Sequence, residues 1–265
     1  MATAVTESGP RRQRSTPGIG RWWNDSFVTE DLNRLAVPTD SEAVRPFEDP
    51  STLSDDGTVE VVFRNIEARL IAEIQKFQLV IGCVAWLTSS KVLAALASVR
   101  GVAILVQKED FLRPDLGVSD EGKWKTWLHT AYGRLPHGPV RYAYGGTIVP
   151  GLSFAGDVEL DPIRCVGNHN SDRRAAMPRS HHKFLVFCDV LPATGHGFEV
   201  VEPRKVWTGS YNPTKTGGRS LENAVILSDP GCVHAYYEEW GQLVGISEPL
   251  DWTSSYVQPD LRIGT

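Results

Sequence analysis

The middle of the chain reads Ser180-His181-His182-Lys183-Phe184-Leu185-Val186-Phe187-Cys188-Asp189, and this stretch decides the fold. An apolar run of this length between polar residues is typical of a buried strand. Because side chains alternate along a strand, we expect His181 and Lys183 to share one face and His182 to lie on the other. A histidine and a lysine directed together from a buried strand are costly unless an anion meets them. The stretch therefore predicts a strand that presents two basic groups to an anionic ligand.

A second polar stretch follows and reads Thr208-Gly209-Ser210-Tyr211-Asn212-Pro213-Thr214. Its turn contributes the hydroxyl of Ser210 and the amide of Asn212, and Glu222 then precedes the strand-like run 223–227. An imidazole, an ammonium, a hydroxyl, an amide and a carboxylate form a set suited to holding and attacking a phosphoryl group. The two stretches together predict chemistry on a phosphate ester.

These residues resemble the HxK…D and GSxN signature, the HKD motif, of the phospholipase D superfamily. His181 and Lys183 match its first half, and Gly209, Ser210 and Asn212 match its second half. The family pattern places four residues between the lysine and the aspartate, whereas the aspartate here, Asp189, comes one residue later. Either a one-residue bulge restores the position of Asp189, or Asp189 has lost the role.

The resemblance implies a metal-independent phosphodiesterase with no cofactor. In that family's chemistry, His181 is the nucleophile and forms a covalent phosphohistidine. Lys183 and Asn212 neutralise and bind the phosphoryl oxygens, and Ser210 supports one of them. Glu222 is the candidate that accepts the other ring N–H of His181 and fixes its tautomer. Only one copy of the motif is present, and family members of that kind usually pair as homodimers to build one active site.

Three functions remain open on this basis. The resemblance favours a nuclease, because many single-copy members cleave nucleic acid. A phospholipase D-type lipid hydrolase or phosphatidyl transferase would share the same catalytic residues. A non-catalytic binding module is the third alternative, and the displaced Asp189 is its only support.

The order of apolar and helical patterns between residues 59 and 107 predicts the fold class. Val59–Phe63, 79–87 and 102–107 are strand-like, and two helical patterns separate them, with Asn65 and Ser89 or Ser90 as the helix N-caps. Such an alternation implies right-handed crossovers and a mixed, mainly parallel α/β sheet flanked by helices. Further strands are predicted at 140–144 and 163–166, and a last amphipathic helix is predicted after Pro230.

The polar segments outside this pattern suggest where the domain begins and ends. Residues 1–20 are expected to form a disordered arm, 21–58 an extended linker or docking segment, 59–247 the catalytic domain and 248–265 a tail. Two tryptophans, Trp22 and Trp23, lie in the docking segment. They are expected to pack on the domain or on a partner subunit, with base stacking as the alternative.

Basic residues near the motif are candidates for substrate contacts. Arg173, Arg174 and Arg179 lie in the loop that leads into His181, and Lys215 follows the second motif. Arginines beside a phosphate site suit bidentate contacts with its oxygens, although Arg173 and Arg174 fit a solvated loop equally well. The helical pattern at 123–135 carries Trp124 and Trp127, which are interpreted as core or dimer contacts.

The bulk composition narrows the class of protein. The chain has 265 residues, 41% of them hydrophobic and 22% charged, which is typical of a globular domain. A net charge of −5 argues against a surface coated in basic charge, although a local basic groove can still bind nucleic acid. The four cysteines are far apart and do not have the spacing of a metal site, and the apolar runs around Cys83 and Cys188 predict buried free thiols there. No apolar run is long enough to span a membrane, no signal peptide is apparent, and a cytoplasmic location without stable membrane association is expected.

Overall fold

The computed structural model describes residues 30–38, 44–112, 120–138, 160–169, 177–191 and 200–261. The chain divides into two compact units between Phe47 and Glu48. Predictions for residues 1–20, for Trp22 and Trp23 and for the strand at 140–144 lie outside the described residues.

The first unit contains a short antiparallel pair of strands, β1 (Ala36–Pro38) and β2 (Val44–Pro46). A single turn of 3-10 helix, Leu32–Arg34, precedes them, and the Asp31 side chain caps it by accepting from the backbone N–H of Asn33. The segment predicted to be an extended linker, 21–58, therefore holds regular structure. It also reaches into the second unit, where Thr52–Leu53 forms a strand.

The second unit is built on one eight-stranded sheet. Its strands are β3 (Thr52–Leu53), β4 (Val59–Val62), β5 (Leu79–Val84), β6 (Gly101–Gln107), β7 (Ile163–Val166), β8 (Lys183–Leu191), β9 (Val200–Gly209) and β10 (Ala224–Leu227). Their order across the sheet is β3-β4-β10-β9-β8-β5-β6-β7. The long strand β8 thus lies near the centre, between β9 and β5.

The sheet is mixed, as predicted, but it is not mainly parallel. Only β5 with β6 and β6 with β7 pair in parallel, and the other five pairs are antiparallel. The parallel sheet was predicted because two strands joined through a helix usually lie parallel to each other. β5 and β6, which are joined through α2, do pair in parallel. β4 and β5, which are joined through α1, do not pair with each other, because β4 lies between β3 and β10 at the far side of the sheet.

Helices cover both faces of the sheet in the described part of the chain. They are α1 (Ile66–Ile74), α2 (Ser90–Leu96), α3 (Asp120–Tyr132) and α4 (Pro230–Gly245). One core cluster joins α1, α2 and α3 to the odd-numbered residues of β8, such as Leu185. The other joins α4 to the even-numbered residues, such as Phe184. Burial on both faces explains why β8 is apolar at almost every position.

Local sequence signals account for the helix starts. The Ser89 hydroxyl accepts from the backbone N–H of Val92, and Asp229 caps α4 in the same way through Cys232. Asn65 precedes α1 as predicted, yet its side chain forms no cap; its backbone is left-handed, with φ at 53°. Asparagine tolerates that conformation better than most residues, so its role here is conformational.

Trp124 and Trp127 do not belong to the core. Leu128 and Tyr132 provide the buried face of α3, while Trp124 and Trp127 are 42% and 40% exposed. The sequence predicted core or dimer contacts for the two tryptophans; the core alternative is wrong, and the dimer alternative stays a prediction. The buried thiols, in contrast, are confirmed for Cys83 and Cys188, and burial raises the pKa of Cys83 to about 12. Cys165 is also buried, and Cys232 is exposed.

The chain from Glu248 onward was predicted to be a polar tail, but its first part is integral to the second unit. Backbone hydrogen bonds of 2.9 Å in both directions join Glu248 to Cys165 of β7, and Trp252 is buried. The fully buried Lys108 forms an ion pair with Glu248 and donates to the carbonyls of Ser254 (3.0 Å) and Tyr256 (2.9 Å). A buried ammonium ties this segment to the end of β6.

None of the helices in the described ranges has the length and apolarity that a bilayer crossing requires.

We expect Lys108→Met to lower the free energy of unfolding by about 3–5 kcal/mol, because it leaves the Glu248 carboxylate buried and unpaired. Lys91→Met is the matched control, since its ion pair with Glu67 has a 74% exposed lysine and contributes at most about 1 kcal/mol. Adding Glu248→Gln to Lys108→Met should recover part of the loss. Urea titration measures all three, and equal effects of Lys108→Met and Lys91→Met would contradict the assignment.

Candidate active site

The two motif halves meet at one edge of the sheet because of strand register. Lys183, the first residue of β8, pairs with Val84, the last residue of β5. Its neighbour Phe184 pairs with Thr208, next to the end of β9, and Gly209 in turn pairs with Ala224 at the start of β10. The residues just outside these four strand ends therefore share one surface. This is also the edge at which the parallel strands β5 and β6 finish, the usual place for ligands in α/β sheets.

His181 and Lys183 form the centre of this surface. The Lys183 Nζ lies 3.2 Å from both ring nitrogens of His181 and donates to its backbone carbonyl at 3.0 Å. The two side chains share one side, as predicted, although His181 precedes β8 instead of lying within it. The Lys183 ammonium gives the site its positive charge, next to the exposed imidazole of His181.

The segment that carries His181 is held from both sides. The backbone N–H of Ser180 donates to Gln107 Oε1 at 2.7 Å, and that of Ala85 donates to the carbonyl of His182 at 2.9 Å. His182 itself points to the other side, where its Nε2 lies 3.7 Å from a carboxylate oxygen of Glu239 on α4. His181 and His182 therefore lie on opposite faces, as the sequence predicted.

The surroundings favour the neutral form of His181. Partial desolvation lowers its pKa below the ordinary value, and the cations of Lys183 and Arg179 lower it further. Burial also lowers the pKa of Lys183, against the carboxylate of Glu222, which acts to raise it. A neutral imidazole keeps a lone pair available for attack on an electrophile.

The GSxN turn depends on a glycine. Gly209 has φ at 152°, and a Cβ there would lie 2.3 Å from the carbonyl oxygen of Asn223. This close approach lets the backbone N–H of Ser210 donate to that carbonyl at 3.1 Å, while the N–H of Asn223 donates to the Ser210 hydroxyl at 3.0 Å. The turn is thus locked to the start of β10.

Glu222 serves Ser210 instead of His181. The Ser210 hydroxyl donates to the Glu222 carboxylate through a short hydrogen bond. Between the described residues Glu222 and His181 no hydrogen bond forms, so the predicted carboxylate–imidazole contact is wrong for this structure. The physical reason is local: Asn223 pairs with Ser210, which places the adjacent Glu222 beside the same hydroxyl. Glu222 acts on the basic pair through its charge, by supporting the ammonium of Lys183.

Asn212 is buried at the same edge. Its Oδ1 accepts from the backbone N–H of Trp86 at 3.4 Å, and the amide also lines the pocket described below. Next to it, the carbonyl of Pro213 accepts from the N–H groups of Thr88 and Ser89, both at 2.8 Å. A Cβ at Gly217 would lie 2.3 Å from the Asn212 carbonyl, so the following loop also needs a glycine to approach this closely.

Asp189 lies at the opposite end of β8. Six residues of extended chain separate it from Lys183, which is about 20 Å. A bulge does occur where Phe187 gives way to Cys188, but its extra residue is Arg204 on β9. Asp189 pairs with that arginine at 2.8 Å. The bulge does not bring Asp189 to the site, and its predicted catalytic role is not compatible with this position.

Of the four other basic residues predicted to contact the substrate, the structure describes two, Arg179 and Lys215. Arg179 lies beside the basic pair, with its Nη1 3.6 Å from Glu109, and Lys215 is exposed on the loop after Asn212. Arg173 and Arg174 lie outside the described residues.

Sequence reasoning missed an aromatic pocket of about 420 Å³ beside the motif. Trp86, Phe111 and Trp124 line it together with the motif residues Asn212 and Glu222. The Trp86 ring lies edge-on to His181, with ring centroids 6.1 Å apart, and its Nε1 donates to Glu109 at 3.1 Å. A signal for Trp86 was present, because it comes two residues after the C-terminal end of a buried parallel strand.

No set of three or more His, Cys, Asp or Glu side chains in the described ranges is arranged to hold a metal ion.

Comparison with known proteins finds one informative relative. The uncharacterised protein L381 of Acanthamoeba polyphaga mimivirus is 31% identical over 214 residues, which cover 78% of this chain and 72% of L381. No protein-family profile matches the chain.

Solved structures with a related arrangement are distant. NucT from Helicobacter pylori has a TM-score of 0.40 at 11% identity, covering 70% of this chain and 94% of NucT. Nuc from Salmonella typhimurium, described as a phospholipase D family member, has a TM-score of 0.39 at 14% identity, covering 72% of this chain and 96% of Nuc. Phosphatidylserine synthase from Haemophilus influenzae has a TM-score of 0.37 at 13% identity, covering 73% of this chain and 40% of the synthase. Similarities at this level carry no argument about function.

We expect an NMR titration to give His181 a pKa below the ordinary value of about 6.5. Lys183→Met should raise that pKa, because a neighbouring cation disfavours the protonated ring and its removal relieves this effect. Arg179→Gln should raise it less. Lys91→Met is the control and should leave it unchanged; a His181 pKa that ignores Lys183→Met would contradict the electrostatic picture.

Proposed function

This chain belongs to the same protein family as L381 of Acanthamoeba polyphaga mimivirus, and we propose that it is a metal-independent phosphodiesterase that cleaves nucleic acid. The observation that carries the proposal is the Lys183 ammonium, 3.2 Å from the ring nitrogens of His181, at an edge shared with Asn212 and Ser210. The set matches the phospholipase D-like signature in the sequence, and its geometry supports a reaction at phosphorus.

The first step uses the neutral imidazole of His181. Its lone pair attacks the phosphorus, a P–N bond forms, and the P–O bond to the leaving group breaks as that oxygen takes a proton from a general acid. Lys183 and the amide of Asn212 stabilise the charge on the non-bridging oxygens as it develops. Water then attacks the phosphohistidine, the P–N bond breaks, and the general acid, now a base, removes the proton of the water.

A second copy of the chain supplies the general acid in this proposal. The site needs another imidazole, but the adjacent His182 faces Glu239 on α4. His181 of a second protomer meets the requirement if two sites face each other across a homodimer. The pKa of imidazole near neutrality suits both proton donation and proton removal.

Nucleic acid is the proposed substrate because basic groups surround the site although the net charge of the chain is −5. Lys183 and Arg179 both act on His181 through their positive charge, and Lys215 is exposed on the loop that follows Asn212. A local basic groove of this kind attracts a polyanion without making the whole surface basic.

We expect the wild-type protein to cleave labelled DNA or RNA with EDTA present, and His181→Ala to reduce the rate at least about 1,000-fold, because the nucleophile is lost. His182→Ala is the matched control, because His182 is also exposed but faces Glu239, and this variant should keep its activity. Acid-labile phosphate trapped on wild type but not on His181→Ala would identify the intermediate. Cleavage that stops on chelation contradicts metal independence. If the protein cleaves phospholipid but no nucleic acid, lipid is the substrate. If it cleaves neither, the binding module is favoured.

Mixed dimers test the shared site directly. If each reaction needs His181 from both protomers, a dimer with one wild-type and one His181→Ala copy should be as inactive as the double variant. Such dimers can be purified with two different affinity tags and assayed beside wild-type dimers. Half of the wild-type rate, or a fully active monomer by size-exclusion chromatography, would contradict the dimer proposal.

A further inference from the structure

The pocket beside the motif has a composition that the phosphoryl chemistry does not explain. Attack on phosphorus needs the imidazole, the ammonium and the amide, whereas three aromatic side chains line the adjacent pocket: Trp86, Phe111 and Trp124. The volume of about 420 Å³ lies within the range of small-molecule sites, about 300–1,000 Å³. The pocket therefore has room for a part of the substrate other than its phosphate.

Two of the aromatic rings lie side by side in the lining of the pocket. Phe111 and Trp124 have ring centroids 5.4 Å apart and planes inclined by 59°. Phe111 is partly buried, whereas Trp124 on α3 is 42% exposed and also lines the pocket. Exposed aromatic surface beside a catalytic motif is unfavourable in water unless a ligand covers it.

Trp86 connects this pair of rings to the reacting group. Its indole N–H is fixed by Glu109 at 3.1 Å, and its ring lies edge-on to His181. The same tryptophan thus borders both the imidazole and the pocket. A ligand whose phosphate rests on His181 would place its neighbouring group in the aromatic pocket.

The remaining side chains that line the pocket are polar. Hydroxyl, amide and carboxylate groups come from Thr88, Asn212, Thr214, Thr216, Ser220 and Glu222. A pocket lined by both aromatic rings and hydrogen-bonding groups suits a heterocycle with π faces and a polar edge.

We propose that this pocket binds a nucleobase adjacent to the scissile phosphate, so that the substrate is a single-stranded nucleic acid. The inference rests on the proposed phosphodiesterase function and adds the substrate class. Bases in a duplex are stacked on each other and cannot enter a pocket without being unpaired, whereas single-stranded bases stack freely on aromatic side chains. A lipid acyl chain would leave the polar side chains of the pocket without partners.

The test measures binding with catalysis removed. In a His181→Ala background, fluorescence anisotropy compares a dye-labelled thymidine oligonucleotide with an abasic oligonucleotide of the same length and charge. Trp124→Ala should weaken binding of the thymidine oligonucleotide about 10-fold and leave binding of the abasic oligonucleotide unchanged, because only the first has bases to stack. Trp127→Ala is the matched control: it lies on the same helix, is equally exposed at 40%, and does not line the pocket.

Several results would overturn the inference. Equal binding of the two oligonucleotides, or equal effects of Trp124→Ala and Trp127→Ala, would show that the pocket does not recognise bases. Binding to phosphatidylglycerol vesicles that depends on Trp124 while oligonucleotide binding does not would assign the pocket to lipid. Phe111→Leu, which keeps an apolar side chain, gives a second measurement if Trp124→Ala fails to fold.

A parallel cleavage assay separates this inference from the proposed function. Base-dependent binding without any cleavage by wild type supports the nucleobase pocket and contradicts the phosphodiesterase. Cleavage of abasic and thymidine strands at equal rates, unaffected by Trp124→Ala, supports the phosphodiesterase function and contradicts the nucleobase pocket.

Discussion

The site depends on the register of β8 between β5 and β9. Gly82 enforces this register, because its φ is 150° and a Cβ there would lie 2.3 Å from the carbonyl oxygen of Phe184. The backbones of β5 and β8 can approach only where this residue lacks a side chain. A slip by one residue would turn Lys183 towards α4 and bring Phe184 to the site, since neighbouring side chains on a strand face opposite ways. The pairing of strands thus decides which chemistry the edge presents.

The register of the strands brings His181 and Lys183 close together, and two positive charges at this distance would repel each other. His181 avoids this repulsion by remaining neutral, and Lys183 is supported by the charge of Glu222 without direct neutralisation by a carboxylate. The nearby acidic groups are occupied elsewhere: Glu222 accepts from Ser210, and Glu109 accepts from Trp86. The carboxylates therefore fix the positions of their neighbours, and in the described part of the chain none of them forms an ion pair with the Lys183 ammonium.

The sequence predicted local structure and the identity of the motif better than it predicted long-range partners. Apolar runs located most strands because burial on both faces leaves a continuous signal. The prediction of a mainly parallel sheet was wrong. The position of β4 depends on the distant strand with which it pairs, and a local sequence pattern contains no information about that partner. Helical spacing placed Trp124 and Trp127 on one apolar face with Leu128 and Tyr132 and predicted core or dimer contacts for them, but of these four residues the structure buries only the last two. Glu222 was located correctly in sequence, and its partner was wrong because only the pairing of Asn223 with Ser210 decides it.

The tryptophans that spacing misplaced show why exposure carries functional information. A buried aromatic residue is explained by the core, whereas Trp124 at 42% exposure must be explained by what covers it or by chance. Trp127, with nearly the same exposure, lies away from any described site, so exposure alone does not identify a function. What distinguishes Trp124 is its pocket, shared with Asn212 and with Trp86 beside His181. In the proposed reaction, binding energy gained there would position a phosphate against His181, and such energy raises the rate only when the bound group is rigidly connected to the reacting one. In a nucleotide the base and its phosphate are connected in this way through one sugar, which is why a stacking pocket beside a phosphoryl site is of use to catalysis.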